Sequence, residues 1–222
     1  MTSALAVTGV SIGSFLLGLA VGRLLNVAID RVPRRDQEAG PAKAGSCRWR
    51  VMALNALGFV LAYLQFGLTW RLLLAWAFIA VLIAIAFIDL ENMIIPNRIV
   101  LPASVLGLAA SIALEPRRWW VYLAAAAGAA LFLFLLALIW RGGMGAGDVK
   151  MALLLGAVLG GLVVVALFLA FILGALIGIV LIATKRKTRK DAIPFGPYLA
   201  LGSVLALLAG DRMLDSYFTL LH

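Results

Sequence analysis

The sequence has little charge and a single thiol. Only 13% of its 222 residues are Asp, Glu, Lys or Arg, 64% are hydrophobic, and the mean hydropathy is +1.10. A soluble domain of this length could not bury so much apolar surface, so the composition excludes a soluble protein and indicates a polytopic membrane protein. Cys47 is the only cysteine, which excludes an internal disulfide and a multi-cysteine zinc site. We therefore expect no metal site.

The net charge of +9 is not accompanied by a basic stripe that alternates with exposed aromatic residues. This pattern argues against a nucleic-acid partner. Most lysines and arginines instead fall in two connections, between Asp30 and Arg50 and between Lys185 and Lys190. Basic connections face the cytoplasm in membrane proteins. We therefore expect a bilayer-embedded chain with both termini outside.

The apolar runs predict an all-α, polytopic membrane helix bundle of about eight transmembrane helices, since about 20 apolar residues cross a bilayer. The predicted spans are 4–29, 51–67, 70–88, 98–114, 119–140, 149–160, 162–183 and 194–210. If 149–183 is one bent helix, the count is seven. We divide the chain into residues 1–50, a first helix with a short basic cytoplasmic loop, and a core over residues 51–222.

Two carboxylates fall at predicted helix ends on the cytoplasmic side. Asp148 follows the small residues Gly145 and Gly147, which permit close backbone approach, and Lys150 follows it. Asp148 could instead be a helix N-cap, and Lys150 an interface cation or a charge acting on Asp148. Asp89 ends an apolar run. Ionisable residues at such places are expensive and usually functional, and paired carboxylates suit the general acid and general base of aspartic proteolysis.

Two proline-containing segments lie beside these carboxylates. Pro96 and Asn97 follow Asp89 and are predicted to open the next helix. The last span begins with Pro194, Phe195, Gly196 and Pro197, which predict either a proline-initiated helix or an irregular backbone lining a crevice.

Three motifs resemble, in order, those of the bacterial prepilin peptidases (type IV leader peptidases), a family of Gly-x-Gly-Asp membrane aspartic proteases. They are Asp89 with Ile95-Pro96-Asn97, the segment Gly143–Lys150, and the segment Ile193–Ala200. Gly13-Ser14-Phe15 and Leu25–Pro33 resemble the family's N-terminal element. The resemblance implies that Asp89 and Asp148 are the catalytic dyad. The site-shaping or substrate-binding candidates are Gly145, Gly147, Lys150, Pro96, Asn97, Pro194, Phe195, Gly196 and Pro197.

The resemblance also implies a substrate and a place of action. A prepilin or pseudopilin precursor, of a type IV pilus or a type II secretion system, is cleaved at the cytoplasmic face of the bacterial inner membrane. Cleavage follows a glycine that ends a short basic leader, ahead of a hydrophobic pilin helix.

The chain departs from the family in its first cytoplasmic loop. Many members carry two Cys-x-x-Cys pairs there, which suit zinc, whereas this loop is short and holds only Cys47. Met52 stands about where an acidic residue is expected. Members with the long loop often methylate the new N-terminus with S-adenosylmethionine. We therefore expect a peptidase that needs no cofactor, with S-adenosylmethionine required only if methylation is retained.

Other functions fit parts of the pattern. The nearest alternative among proteases is a presenilin-like or a preflagellin-type peptidase. The former would have Pro-Ala-Leu near the last helix, where this chain has Pro194-Phe195-Gly196-Pro197. A proton-coupled transporter or a membrane assembly scaffold could use the same aspartates. Transporters, however, tend to carry ionisable groups near the midplane and internal repeats, and neither is evident in this sequence.

Overall fold

The computed structural model describes residues 2–31, 48–139, 144–186, 188 and 193–221. Over these ranges the chain is helical and contains no strand, which confirms the predicted all-α class. The helices are α1 (Thr2–Arg31), α2 (Arg48–Phe66), α3 (Trp70–Asn92), α4 (Asn97–Leu114), α5 (Trp119–Ile139), α6 (Ala146–Leu159), α7 (Val163–Ala183) and α8 (Gly196–Leu221). Short 3-10 turns, Pro116–Arg118 and Gly160–Leu162, precede α5 and α7.

Seven segments of the described chain are long and apolar enough to cross a membrane. Six of them fall within α1 to α4, α5 with the turn before it, and α8, and the seventh runs from Ala146 to Ala183. By length and composition, the number of candidate transmembrane segments is therefore seven, the alternative predicted for a continuous 149–183 segment, rather than eight. The predicted polytopic membrane bundle is confirmed.

The seventh segment is nevertheless not one bent helix, because the helical path breaks at Gly160. This residue has φ 56° and ψ −132°, outside the α-helical region. Before the break, α6 runs antiparallel to α5. Gly156 lies against the backbone of Ala125, and Gly160, one turn later, lies beside Tyr122, which precedes Ala125 in the chain.

After the break the chain returns towards its starting end. Leu162 lies beside Gly210, and Gly174, further along α7, lies beside Phe195, near the start of α8. Helix α7 is therefore antiparallel to α8, and the segment consists of two arms that correspond to the predicted spans 149–160 and 162–183. The first arm has 14 residues and is about 21 Å long. It is too short to cross a hydrocarbon core of about 30 Å unaided.

The core surrounds this short arm. Met151 and Leu155 are fully buried, and Leu154 is 1% exposed. They pack in one apolar cluster with side chains from α3, α4, α5, α7 and α8. A helix enclosed by other helices has no need to match the bilayer thickness. Enclosure of α6 also buries its first turn, which carries Asp148.

The bundle has two distinct polar ends. At one end an ion pair between Arg71 and Glu115 joins the start of α3 to the end of α4. At the other end α3 finishes while α4, α6 and α8 begin. The second end contains both predicted catalytic carboxylates.

Helix α1 packs on α2 through small residues. A side chain at Gly18 or Gly22 would collide with the backbone of Ala56 or Met52, which is how membrane helices achieve close contact. The loop between the two helices, including Cys47, lies outside the described residues. The division into residues 1–50 and 51–222 remains a prediction.

Candidate active site

Asp89 lies in the last turn of α3 and is 5% exposed. The helix ends just beyond it, at Met93, which adopts a left-handed conformation (φ 54°) and donates its N–H to the Asp89 carbonyl. One carboxylate oxygen, Oδ2, accepts the N–H of Gly196 at 2.9 Å. The end of α3 and the start of α8 are thus joined through the candidate catalytic group.

Asp148 occupies the first turn of α6 and is 7% exposed. Its Oδ2 accepts the N–H of Gly145 at 3.1 Å. The N-cap is Gly145 and Asp148 is the third helical residue, so the alternative in which Asp148 is the N-cap was wrong. Its carboxylate still satisfies an unpaired N–H at the helix start, and a negative charge there is favoured by the helix dipole. Asp148 can therefore stabilise the start of α6 and also take part in acid–base chemistry.

The fold brings the two carboxylates together. Asp89 lies in the last turn of α3, and Ile95, in the connection that follows, lies against Gly147, which directly precedes Asp148. Asp89 and Asp148 are 59 positions apart in the chain. Each is buried, and each uses one oxygen to accept a backbone N–H. Both of these hydrogen bonds are made by Oδ2, and neither involves Oδ1. Two neighbouring carboxylates cannot both ionise freely and tend to share one proton. This is the arrangement needed for acid–base chemistry on a bound water.

Two contacts hold the start of α6 against the connection between α3 and α4. A side chain at Gly147 would lie 2.8 Å from Cβ of Ile95, so only glycine permits this approach. Lys150 donates its Nζ to Oδ1 of Asn97 at 2.8 Å. The described bond of Lys150 is therefore made to Asn97, a partner we did not predict. Pro96 is buried and serves as the N-cap residue of α4, which begins at Asn97 as predicted.

The start of α8 has features of both predicted alternatives, the proline-initiated helix and the irregular backbone. Residues 193–195 are not helical, and α8 begins at Gly196 with Pro197 as its second residue. The carbonyl of Phe195 accepts the N–H groups of Tyr198 and Leu199 at 3.1 Å. A side chain at Gly196 would lie 2.7 Å from Oδ2 of Asp89, so glycine allows the backbone to reach the carboxylate. Pro194 precedes this contact and is partly buried.

The structure thus gathers most of the predicted site residues at one end. Two residues that contribute contacts, Ile95 and Phe171, were not predicted. Ile95 supports Gly147, and Phe171 packs its ring 5.3 Å from that of Phe195. Apolar residues of a membrane helix carry no sequence signal that distinguishes such contacts from ordinary packing.

No group of three or more His, Cys, Asp or Glu side chains within the described ranges could hold a metal ion. Cys47 and His222 lie outside those ranges. The site described here consists of two carboxylates and backbone donors.

Comparison with known proteins identifies several relatives. The type IV leader peptidase family matches residues 76–179, which include both carboxylates. The chain is 36% identical to a prepilin leader peptidase/N-methyltransferase of Bacillus subtilis over 79% of its own length and 74% of the relative's. Proteins of the same name from Stutzerimonas stutzeri and Aeromonas hydrophila are 32% and 35% identical, over 73% and 76% of this chain.

The chain spans only 59% and 60% of the latter two relatives. It therefore corresponds to part of these longer proteins. No solved structure matches this chain significantly.

Proposed function

The chain belongs to the type IV leader peptidase family, and we propose that it is an aspartic endopeptidase that removes the leader from a prepilin or pseudopilin precursor. Three of its relatives carry the name prepilin leader peptidase/N-methyltransferase. The observation that carries the aspartic mechanism is the position of Asp89 and Asp148 at one end of the bundle, where both carboxylates are buried and each accepts a backbone N–H. Family membership also favours a peptidase over a transporter or a scaffold.

In this mechanism the two carboxylates share one proton. The ionised carboxylate takes a proton from a water molecule, and that water attacks the scissile carbonyl carbon. The protonated carboxylate then donates its proton to the leaving amide nitrogen. The N–H groups of Gly196 and Gly145 each hold one oxygen of a carboxylate, which fixes the direction in which the remaining oxygen faces the substrate.

The site is proposed to open to the cytoplasm. The basic connections at 30–50 and 185–190 are expected on that side. The second connection precedes α8 in the sequence, and the contact of Gly196, the first residue of α8, with Asp89 supports a site that faces the same side. We place the enzyme in the bacterial inner membrane with both termini outside.

The peptidase step is proposed to need no cofactor. Methylation of the new N-terminus is a second candidate activity, because the relatives' names include N-methyltransferase. It would require S-adenosylmethionine. The short loop without the family's cysteine pairs argues for the peptidase alone, and mass spectrometry of the mature product would detect an added methyl group.

The proposal is tested by co-expression with a prepilin-like precursor and N-terminal sequencing of the product. Asp89→Asn and Asp148→Asn should each abolish cleavage and leave the protein in the membrane, since an amide can neither accept nor return the proton. Glu91→Gln is the matched control, because Glu91 is exposed and lies two residues from Asp89. Cleavage near the wild-type rate by either aspartate variant would exclude this mechanism.

A further inference from the structure

An apolar groove runs between α5 and α7 on the side of the bundle. It encloses about 580 Å³. Its floor on α5 is made of small residues, among them Ala124, Ala125 and Gly128, and its walls are aromatic, with Phe132 48% exposed and Phe168 64% exposed. A side chain at Gly128 would meet no other atom within 4 Å. The small floor therefore leaves room for the backbone of another helix.

Aromatic contacts connect this groove to the catalytic end. The ring of Phe132 lies 6.2 Å from that of Phe171, edge to face, and the ring of Phe171 lies 5.3 Å from that of Phe195. Phe195 directly precedes Gly196, whose N–H bonds to Asp89. A segment lying in the groove would thus contact Phe171, whose ring packs on that of the residue before Gly196.

A second apolar groove, between α3 and α4, lacks this connection. It encloses about 490 Å³, and Val81 is its lining residue nearest to Asp89 along α3. These two residues are about 12 Å apart along the helix axis. A substrate in that groove would end short of the reacting groups.

We propose that the groove between α5 and α7 binds the apolar helix of the substrate, the part that follows the scissile bond. This inference rests on the proposed function. The α5 floor from Trp120 to Phe132 is about 18 Å long and matches roughly twelve helical residues. Every lining residue of the groove is uncharged, which suits a segment that stays in the bilayer while the basic leader lies at the carboxylate end.

Filling the groove tests the proposal through the enzyme's kinetics. A Cβ added at Gly128 would meet no atom of a neighbouring element within 4 Å, so Gly128→Leu should enter the groove without displacing the backbone. The KM for the full-length precursor should rise at least about fivefold, whereas cleavage of a short peptide that lacks the apolar helix should be unaffected. Gly178→Leu is the matched control, because Gly178 is equally open on α7 and does not line the groove.

Photocrosslinking tests binding independently of cleavage. A benzophenone amino acid at Phe168, in the inactive Asp148→Asn background, should crosslink to the precursor, and the same probe at Leu106 in the α3–α4 groove should not. Precursor adducts at Leu106 alone, lipid adducts alone at Phe168, or an unchanged KM in Gly128→Leu would overturn the proposal. Failure of the wild-type enzyme to cleave would instead refute the proposed function, while the crosslinking result would still report on the groove.

Discussion

Gly196→Ala should displace the carboxylate of Asp89 while the bundle stays folded. The added Cβ would lie 2.7 Å from Oδ2, 3.1 Å from Cγ and 3.2 Å from Cβ of Asp89. Because the first of these contacts is closer than real Cβ atoms allow, either the Asp89 side chain or the start of α8 must move. Either movement lengthens the 2.9 Å bond from the Gly196 N–H to Oδ2. The substitution therefore perturbs the proposed catalytic carboxylate directly.

The size of the effect follows from two estimates. Added volume in a packed site costs about 1–3 kcal/mol, and a hydrogen bond to a charged group contributes about 1.5–3 kcal/mol. If a loss of about 1–3 kcal/mol appears in the transition state, kcat falls roughly 5- to 150-fold. Global stability should change less, because alanine is a better helix former than glycine at the start of α8.

Gly145→Ala is the matched control at the other carboxylate. Its Cβ would lie 3.6 Å from Oδ2 of Asp148, an ordinary contact, and Gly145 has φ −80° and ψ 150°, which alanine adopts freely. The backbone N–H that Asp148 accepts is retained. The kcat of this variant should stay within about twofold of wild type, as expected for a substitution that changes no packing.

The assay is cleavage of a purified precursor by each variant in detergent or vesicles, with the Tm of each enzyme measured in parallel. Equal activities of Gly196→Ala and Gly145→Ala would refute the argument that Gly196 supports Asp89. A fall in Tm for Gly196→Ala comparable to the loss of activity would assign its effect to folding instead.

Further outcomes follow from the same geometry and from the charge distribution. Lys150→Met and Asn97→Ala should each raise the activation free energy for kcat/KM by about 0.5–1.5 kcal/mol. The double variant should be no worse than either single variant, because both substitutions remove the same hydrogen bond. Fully additive effects would show that the two residues are not coupled. A cysteine introduced at Gly40 should be protected from an impermeant thiol reagent in intact cells and one at Pro116 labelled, whereas labelling at Gly40 would contradict cytoplasmic cleavage. Cys47→Ser should retain cleavage, and chelators should not inhibit; stoichiometric zinc in the purified protein would contradict this.

The sequence predicted the helices and the end of the bundle at which the carboxylates lie, but not the contacts between them. Apolar runs indicate helices because a segment in lipid must hydrogen-bond its own backbone N–H and C=O groups, and a helix does so within the segment. The alternation of basic connections placed Asp89 and Asp148 on one side. The bond between Lys150 and Asn97 joins residues 53 positions apart. This bond depends on how α6 packs against α4, and a local sequence pattern does not predict that packing.

The reversal at Gly160 shows that the length of an apolar segment does not give the direction in which its chain runs. The apolar stretch from Ala146 to Ala183 is continuous, so hydropathy alone describes one span. The left-handed φ of Gly160, beside the ring of Tyr122, is what turns the chain back. Such a conformation is cheap only for glycine.

The glycines around the carboxylates have a steric role. The sequence could therefore predict that something packs closely against them, but not which residue does. Gly147 leaves space for Ile95, and Gly196 leaves space for Asp89 itself. In both cases a helix begins against a neighbouring segment, and a Cβ would separate the two by pushing on atoms less than 3 Å away. The spacing of glycines beside Asp148 predicted close backbone approach. Only the packing of α3, α6 and α8 at one end identifies what approaches: Ile95 lies against Gly147, and the carboxylate of Asp89 lies against Gly196.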